Sequence, residues 1–209
     1  MHKVISYGHE LFRKAIHLSS LWMVASIGCL PKWFNIALFA SLLLIILIVE
    51  YGNHKRWPLF TMTYGALFNR ILREEETQKN FRPSGAPYLI AAALTVSALF
   101  PKIIAMTALS ITLVGDTFAA LIGRKLGRHK INQDSKSIEG SIAFWLFSFL
   151  VLFLFWHYFR QPLSFLFCGI AGITLATFAE IYENRLHIDD NFSIPVIVGL
   201  SLTLSLYLQ

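Results

Sequence analysis

Charge is scarce in this chain. Only 14% of its 209 residues are Asp, Glu, Lys or Arg, against 56% hydrophobic, and mean hydropathy is +0.58. Soluble domains carry about 25% charged residues, so a soluble globule is excluded. Cysteine is scarcer still, with two in all. Cys29 and Cys168 each lie in or at the end of an apolar segment, without the spacing of a metal site. Both read as core residues, and no disulfide is expected. Neither G-x-x-x-x-G-K-[ST] nor G-x-G-x-x-G occurs, which removes the Walker loop and the dinucleotide fingerprint. The basic start at Lys3, Arg13 and Lys14 precedes an apolar run, yet no clear small-residue cleavage site follows. That run reads as a retained first span.

Long apolar runs are what the chain has instead. They cover approximately Ala15 to Leu30, Trp33 to Val49, Ala86 to Phe100, Ile103 to Ile122, Ile138 to Phe159, Pro162 to Ile181 and Phe192 to Leu208. The expected fold is therefore all-α: one polytopic membrane domain over 1–209, with about seven transmembrane helices and no soluble appendage. Several runs fall short of the ~20 residues a span usually needs, Ala86 to Phe100 above all. Leu59 to Leu72 is apolar but interrupted by Thr61, Thr63, Asn69 and Arg70, so it reads as an interfacial or cytoplasmic amphipathic helix. Loop charge agrees with that choice. With the N-terminus cytoplasmic, every one of the 18 Lys and Arg residues except Lys32, Lys102 and Arg160 falls inside. Counting Leu59 to Leu72 as a span would put most of them outside. The net charge of +6 thus has a topological cause, and no nucleic-acid partner is implied. All 12 acidic residues also lie on the cytoplasmic side or at inner span ends.

The chain is organised around Gly115 to Ser141, GDTFAALIGRKLGRHKINQDSKSIEGS. Asp116 stands among Val114, Phe118, Leu121 and Ile122, where an unpaired carboxylate would cost about 2.5 kcal/mol or more. Water, a cation or a basic partner must face it. On a helix, Asp116, Ala119, Ala120, Gly123 and Gly127 share a stripe of small residues that a second backbone or a ligand could approach. Arg124, Lys125, Arg128, Lys130 and Lys136 follow, with Asp134 the only acid among them. A carboxylate, a run of cations and close main chain suit a magnesium-bound polyphosphate. Three further clusters face inward. His17 lies one turn beyond Arg13, with Lys14 between them read as a residue that snorkels to lipid phosphate. Arg73-Glu74-Glu75-Glu76 closes the amphipathic segment. Glu180 and Glu183 share a helix face ahead of Asp189-Asp190-Asn191, where Asp190 or Asn191 is expected to cap the last span.

These motifs resemble the CTP-dependent lipid-alcohol kinases, the group containing dolichol kinase, phytol and farnesol kinases, and the fungal CTP-dependent diacylglycerol kinase. Their CTP-binding core is distantly similar to phosphatidate cytidylyltransferase. The resemblance rests on RKAIH at Arg13 to His17, REEE at Arg73 to Glu76, GDTFAALIGRKLG at Gly115 to Gly127, KSIEGS at Lys136 to Ser141 and IDDNFSIP at Ile188 to Pro195. It implies Mg²⁺-dependent transfer of phosphate from CTP to a membrane-resident lipid hydroxyl on the cytoplasmic face. Asp116 would lead the metal ligands, with Asp189, Asp190 or Glu180 completing the site. Arg124, Arg128, Lys130 and Lys136 would hold the triphosphate, with Gly123 and Gly127 admitting it and amides near Ser137, Glu139 and Gly140 assisting. Asp189 or Asp190 would act as base. Arg13, His17 and Asn191 would orient the lipid, and Glu75 with its neighbours is a candidate for reading cytosine.

KSIEGS also resembles the cytidylyltransferase signature, but Ala120 stands where that signature has an aromatic, and Asp134-Ser135 lacks its proline. The kinase reading is preferred over the transferase, and a non-enzymatic transporter is the third alternative. Against a transporter, the outer half of every span lacks acids, so no polar route crosses it. The compact, bacterial-type chain points to a cell membrane over the endoplasmic reticulum. A homodimer stays open, because the Gly123 to Gly127 spacing that could mediate one lies inside the expected nucleotide site.

Overall fold

The computed structural model describes residues 7–66, 81, 83–131, 136–183 and 188–208. Every described element is helical apart from one isolated antiparallel bridge, between Lys130 and Ser137. In chain order the helices are α1 (Tyr7–Ser19), α2 (Leu21–Cys29), α3 (Lys32–His54), α4 (Pro58–Phe60), α5 (Gly85–Leu99), α6 (Lys102–Lys125), α7 (Ile138–Tyr158), α8 (Leu163–Ile181) and α9 (Asp190–Leu204). A π-helical turn, Thr61–Gly65, continues α4. The first apolar run is divided between α1 and α2, which meet at Ser20, and each of the other six runs is a single helix.

Proline sets three of the reversals. Pro31, Pro101 and Pro162 stand immediately before α3, α6 and α8 in extended conformation. Each lacks the N–H that a preceding helix would need in order to continue, and each has the φ that a new helix can start from. These turns are short and lie at one end of the bundle. The connections at the other end are longer and carry the charge.

Four helices, α3, α6, α7 and α8, are long and apolar enough to cross a membrane, whereas α5 and α9 are shorter apolar helices. The protein is an all-α membrane protein. Its centre is α6, which packs against α1, α2, α5, α7 and α9. In its apolar stretch 72% of the residues are buried, against 17% in α3, so α6 is the axis and α3 lies at the periphery. Ile104, Leu109, Ile111 and Leu113 of α6 are wholly buried with Phe144 and Leu152 of α7, Ile173 of α8, and Ile194 and Leu202 of α9.

The α6–α7 contact depends on missing side chains. A Cβ at Gly115 would sit 2.9 Å from the Phe144 ring and collide with the Ser148 hydroxyl. Where α7 begins, a Cβ on Gly140 would lie 3.0 Å from the Ala119 carbonyl and 3.2 Å from Gly123 Cα. The small stripe read from the sequence is filled by the backbone of α7. The two cysteines depart from expectation: Cys29 is exposed and Cys168 half-buried, both as free thiols. Of the amphipathic segment, residues 58–66 are helical, and the rest lies outside the described residues.

Gly140→Ala should separate the start of α7 from α6, since the obstacle is backbone that cannot rotate away. A loss of about 1–3 kcal/mol is expected in unfolding of the detergent-solubilised protein. Gly8→Ala, with nothing within 4 Å, should leave stability unchanged or slightly higher.

Candidate active site

Asp116 is buried in the C-terminal half of α6, and its basic partner comes from α1. Lys14 Nζ lies 2.5 Å from Asp116 Oδ2, and His17 Nε2 lies 3.3 Å from the same oxygen. Lys14 and His17 are three residues apart on one face of α1, so a single helix delivers both. The snorkelling role expected for Lys14 is therefore corrected: in a bundle end this crowded, the buried carboxylate is a nearer counter-ion than lipid phosphate. His17, expected at the lipid, is also directed at Asp116. Arg13 instead lies 4.0 Å from Glu10, and Arg124 Nη2 reaches the same Glu10 carboxylate at 3.0 Å.

A second cluster gathers around Lys136. Its Nζ stands 2.9 Å from Glu180, 3.0 Å from Glu183 and 3.2 Å from Asp190. Glu180 also accepts from the Ser141 hydroxyl at 3.3 Å. Single oxygens of Glu183, Asp189 and Asp190 lie within 4.8 Å of one another, a group able to hold a metal ion. The last helix is capped by Asp189, not by Asp190 or Asn191 as expected: Asp189 Oδ1 accepts from the Asn191 amide at 3.0 Å and from Asn191 Nδ2 at 2.8 Å. The two clusters adjoin, since Lys136 lies within electrostatic reach of Asp116, and Asp190 of His17.

The glycines and the KSIEGS turn are engaged by the chain itself. Ser137 caps α7 by accepting from the Gly140 amide at 3.2 Å, and the Ile138 amide donates to the His129 carbonyl at 2.9 Å. Glu139 accepts from the amides of Arg128 (3.1 Å) and His129 (3.2 Å), and lies 2.8 Å from His129 Nδ1. A Cβ at Gly127 would strike the Gly123 carbonyl and the Ser137 hydroxyl. Gly123, Gly127, Ser137, Glu139 and Gly140 thus build the turn that presents Arg128 and Lys130, both exposed. Glu75 and Asp134 lie outside the described residues.

Three groups escaped the reading of the sequence. Glu10 is one, and Lys14 as a partner of Asp116 is another. The third is Glu50, buried near the C-terminal end of α3, which accepts from the Ser84 amide at 2.9 Å, from the Ser84 hydroxyl and from Tyr64 Oη at 3.0 Å. Ser84 caps α5, whose Gly85 lies against Asn191. Glu50, like Asp116, is an acid in an apolar helix and needs a partner, a signal the sequence carries.

The cytidylyltransferase family model matches residues 2–205, and the chain belongs to that family. An uncharacterized protein of Rickettsia prowazekii (strain Madrid E) is 30% identical over 210 residues, covering 99% of each chain. CTP-dependent diacylglycerol kinase 1 of Saccharomyces cerevisiae is 26% identical over 223 residues, covering 92% of this chain and 72% of the kinase. Dolichol kinase sec59 of Schizosaccharomyces pombe is 30% identical over 152 residues, covering 68% of this chain and 29% of that kinase. With these relatives and this family the protein is an enzyme. No solved structure matches the chain.

Two outcomes follow from the geometry. Lys14→Met leaves Asp116 buried without its ammonium and should lower stability by about 3 kcal/mol. Adding Asp116→Asn should restore most of that, and equal unfolding of all three proteins would show that the pair carries no structural weight. The second concerns pH. Burial, then the neighbouring Asp190 carboxylate, push the Asp189 carboxyl from 3.8 up to about 7. Between those values the folded protein keeps a proton that the unfolded chain has lost. This contribution to stability is present below the lower value and declines as pH rises to the upper one, then stays flat. Melting curves across that range in chelator should show the decline, and Asp189→Asn should flatten it.

Proposed function

We propose that the protein is a CTP-dependent lipid kinase that transfers the γ-phosphate of CTP to the hydroxyl of a membrane lipid alcohol, a polyprenol, a prenol or a diacylglycerol, at the cytoplasmic face. The observation that carries this reading is the meeting, at one end of an apolar bundle, of an acidic cup with exposed cations. The cup is Glu183, Asp189 and Asp190 with Glu180 behind them; the cations are Arg128 and Lys130. Carboxylates alone would hold a cation, and cations alone would hold a phosphate. Phosphoryl transfer from a nucleotide needs both, within reach of a membrane-borne hydroxyl.

The donor set fits Mg²⁺. It offers oxygens only, from three carboxylates, and the neighbouring Asn191 Oδ1 is buried without a hydrogen-bond partner among the described residues. Glu183, Asp189 and Asp190 would hold the ion, with Asp116 behind them fixed by Lys14. When bound, Mg²⁺ would neutralise charge on the transferring phosphate. Arg128 and Lys130 would grip the triphosphate, with Arg124 and Lys136 available once they leave their carboxylates. Asp189 is the member of the cup that no described cation touches, which suits it to accept the hydroxyl proton. The distribution of Lys and Arg supports a cytoplasmic location for this end. The relatives named as CTP-dependent kinases support the nucleotide and the acceptor class.

Transfer of the cytidylyl group to phosphatidate is the second reading, favoured by the family's name and by the Lys-Ser-x-Glu-Gly at Lys136 to Gly140. Purified protein in mixed lipid with Mg²⁺ and CTP labelled at either the γ- or the α-phosphate separates the two. γ-Label should enter lipid with release of CDP, and Asp116→Asn or Asp190→Asn should slow this by about 100-fold or more. α-Label in lipid with pyrophosphate released would make the protein a cytidylyltransferase. Neither label in any lipid would end both readings.

A further inference from the structure

We propose that Lys136 makes the enzyme bind divalent cation and nucleotide synergistically, by holding the acidic cup closed until phosphate draws its ammonium away. The proposal rests on the metal and nucleotide reading above.

An ammonium has three N–H donors and no more. Three carboxylates stand around Lys136 Nζ at 2.9, 3.0 and 3.2 Å, from Glu180, Glu183 and Asp190. Its ammonium donates to Asp190 and is within 3.0 Å of the other two, so in this arrangement the charge is turned toward the cup and away from a phosphate. Two of those three carboxylates, Glu183 and Asp190, also belong to the group able to take a metal ion. The ammonium and a divalent cation therefore compete for the same oxygens, and two positive charges in so small a space repel each other. A lysine ammonium is charged at neutral pH, so Lys136 has to be displaced as a cation.

Lys136 adjoins the exposed cations: its carbonyl accepts from the Ile131 amide at 3.0 Å, and its chain neighbour Ser137 forms the bridge with Lys130. A triphosphate gripped by Arg128 and Lys130 would lie on the side to which the flexible lysine stem could turn. Phosphate would relieve the cup of its resident cation, and a divalent ion in the cup would release the lysine to phosphate. Each ligand then raises the affinity for the other by the same factor.

Binding of Mn²⁺, followed by its paramagnetic resonance signal in detergent-solubilised protein without nucleotide, tests this directly. The wild type should bind weakly. Lys136→Met should bind about tenfold or more tightly, although it has lost a contact and not gained one. Lys136→Met combined with Glu180→Gln removes one charge of each sign and spares the metal group, so it serves if the single variant does not fold; it should also bind more tightly than wild type. The difference in CTP affinity between wild type and Lys136→Met should be smaller in chelator, where the cup competes for the ammonium, than with Mn²⁺ present. Mn²⁺ affinity unchanged or weakened in the folded variants would overturn the role given to Lys136 while leaving the metal site standing. No Mn²⁺ bound by the wild type, with CTP or without, would overturn the metal site itself.

Discussion

A carboxylate buried in a membrane helix must be answered by a cation, and the answer to Asp116 arranges one end of this protein. Lys14 and His17 meet it from α1, so the first helix is drawn against the central one by charge where apolar packing alone would leave its register undetermined. Glu10 repeats the device a turn earlier by taking Arg124 from the end of α6. These contacts form where little water reaches, so losing one partner leaves a buried charge uncompensated. The same crowding gives the site its character. Its groups are held in place by each other before any ligand arrives.

Of the cations in the central stretch, Arg124 and Lys136 reach carboxylates of distant elements, and Arg128 and Lys130 stand exposed on the turn built by Gly127, Ser137 and Glu139. The glycines serve this arrangement indirectly, by letting α6 and α7 touch backbone to backbone so that the turn between them leaves the bundle at one defined place.

Much of the fold was legible because apolar run length is a direct physical requirement of the membrane. Each run expected to be helical is helical, and Pro31, Pro101 and Pro162 mark reversals that proline chemistry allows to be read locally. The placement of Asp116 among apolar residues announced a partner but could not name it. That partner is 102 positions away in sequence, and nothing in residues 13–17 distinguishes a lysine facing lipid from one facing a carboxylate. Lys136 posed the same difficulty. A cation in a basic run looks available for phosphate, and only the folded chain brings Glu180, Glu183 and Asp190 around it. The cap of the last helix was misjudged because three adjacent residues, Asp189, Asp190 and Asn191, can all cap, and tertiary contacts decide which does. Glu50 was passed over because it follows an apolar run without a motif around it.

Glu50 has one further consequence. Its carboxylate ties Tyr64 to Ser84, the two ends of a stretch of some twenty residues, and Ser84 in turn begins the helix that meets Asn191. The ends of that stretch are thus fixed to each other independently of what lies between them. A change at Glu50 would therefore be felt at Asn191, beside the acidic cup, by way of Ser84 and the helix it begins, although Glu50 itself belongs to neither ion cluster.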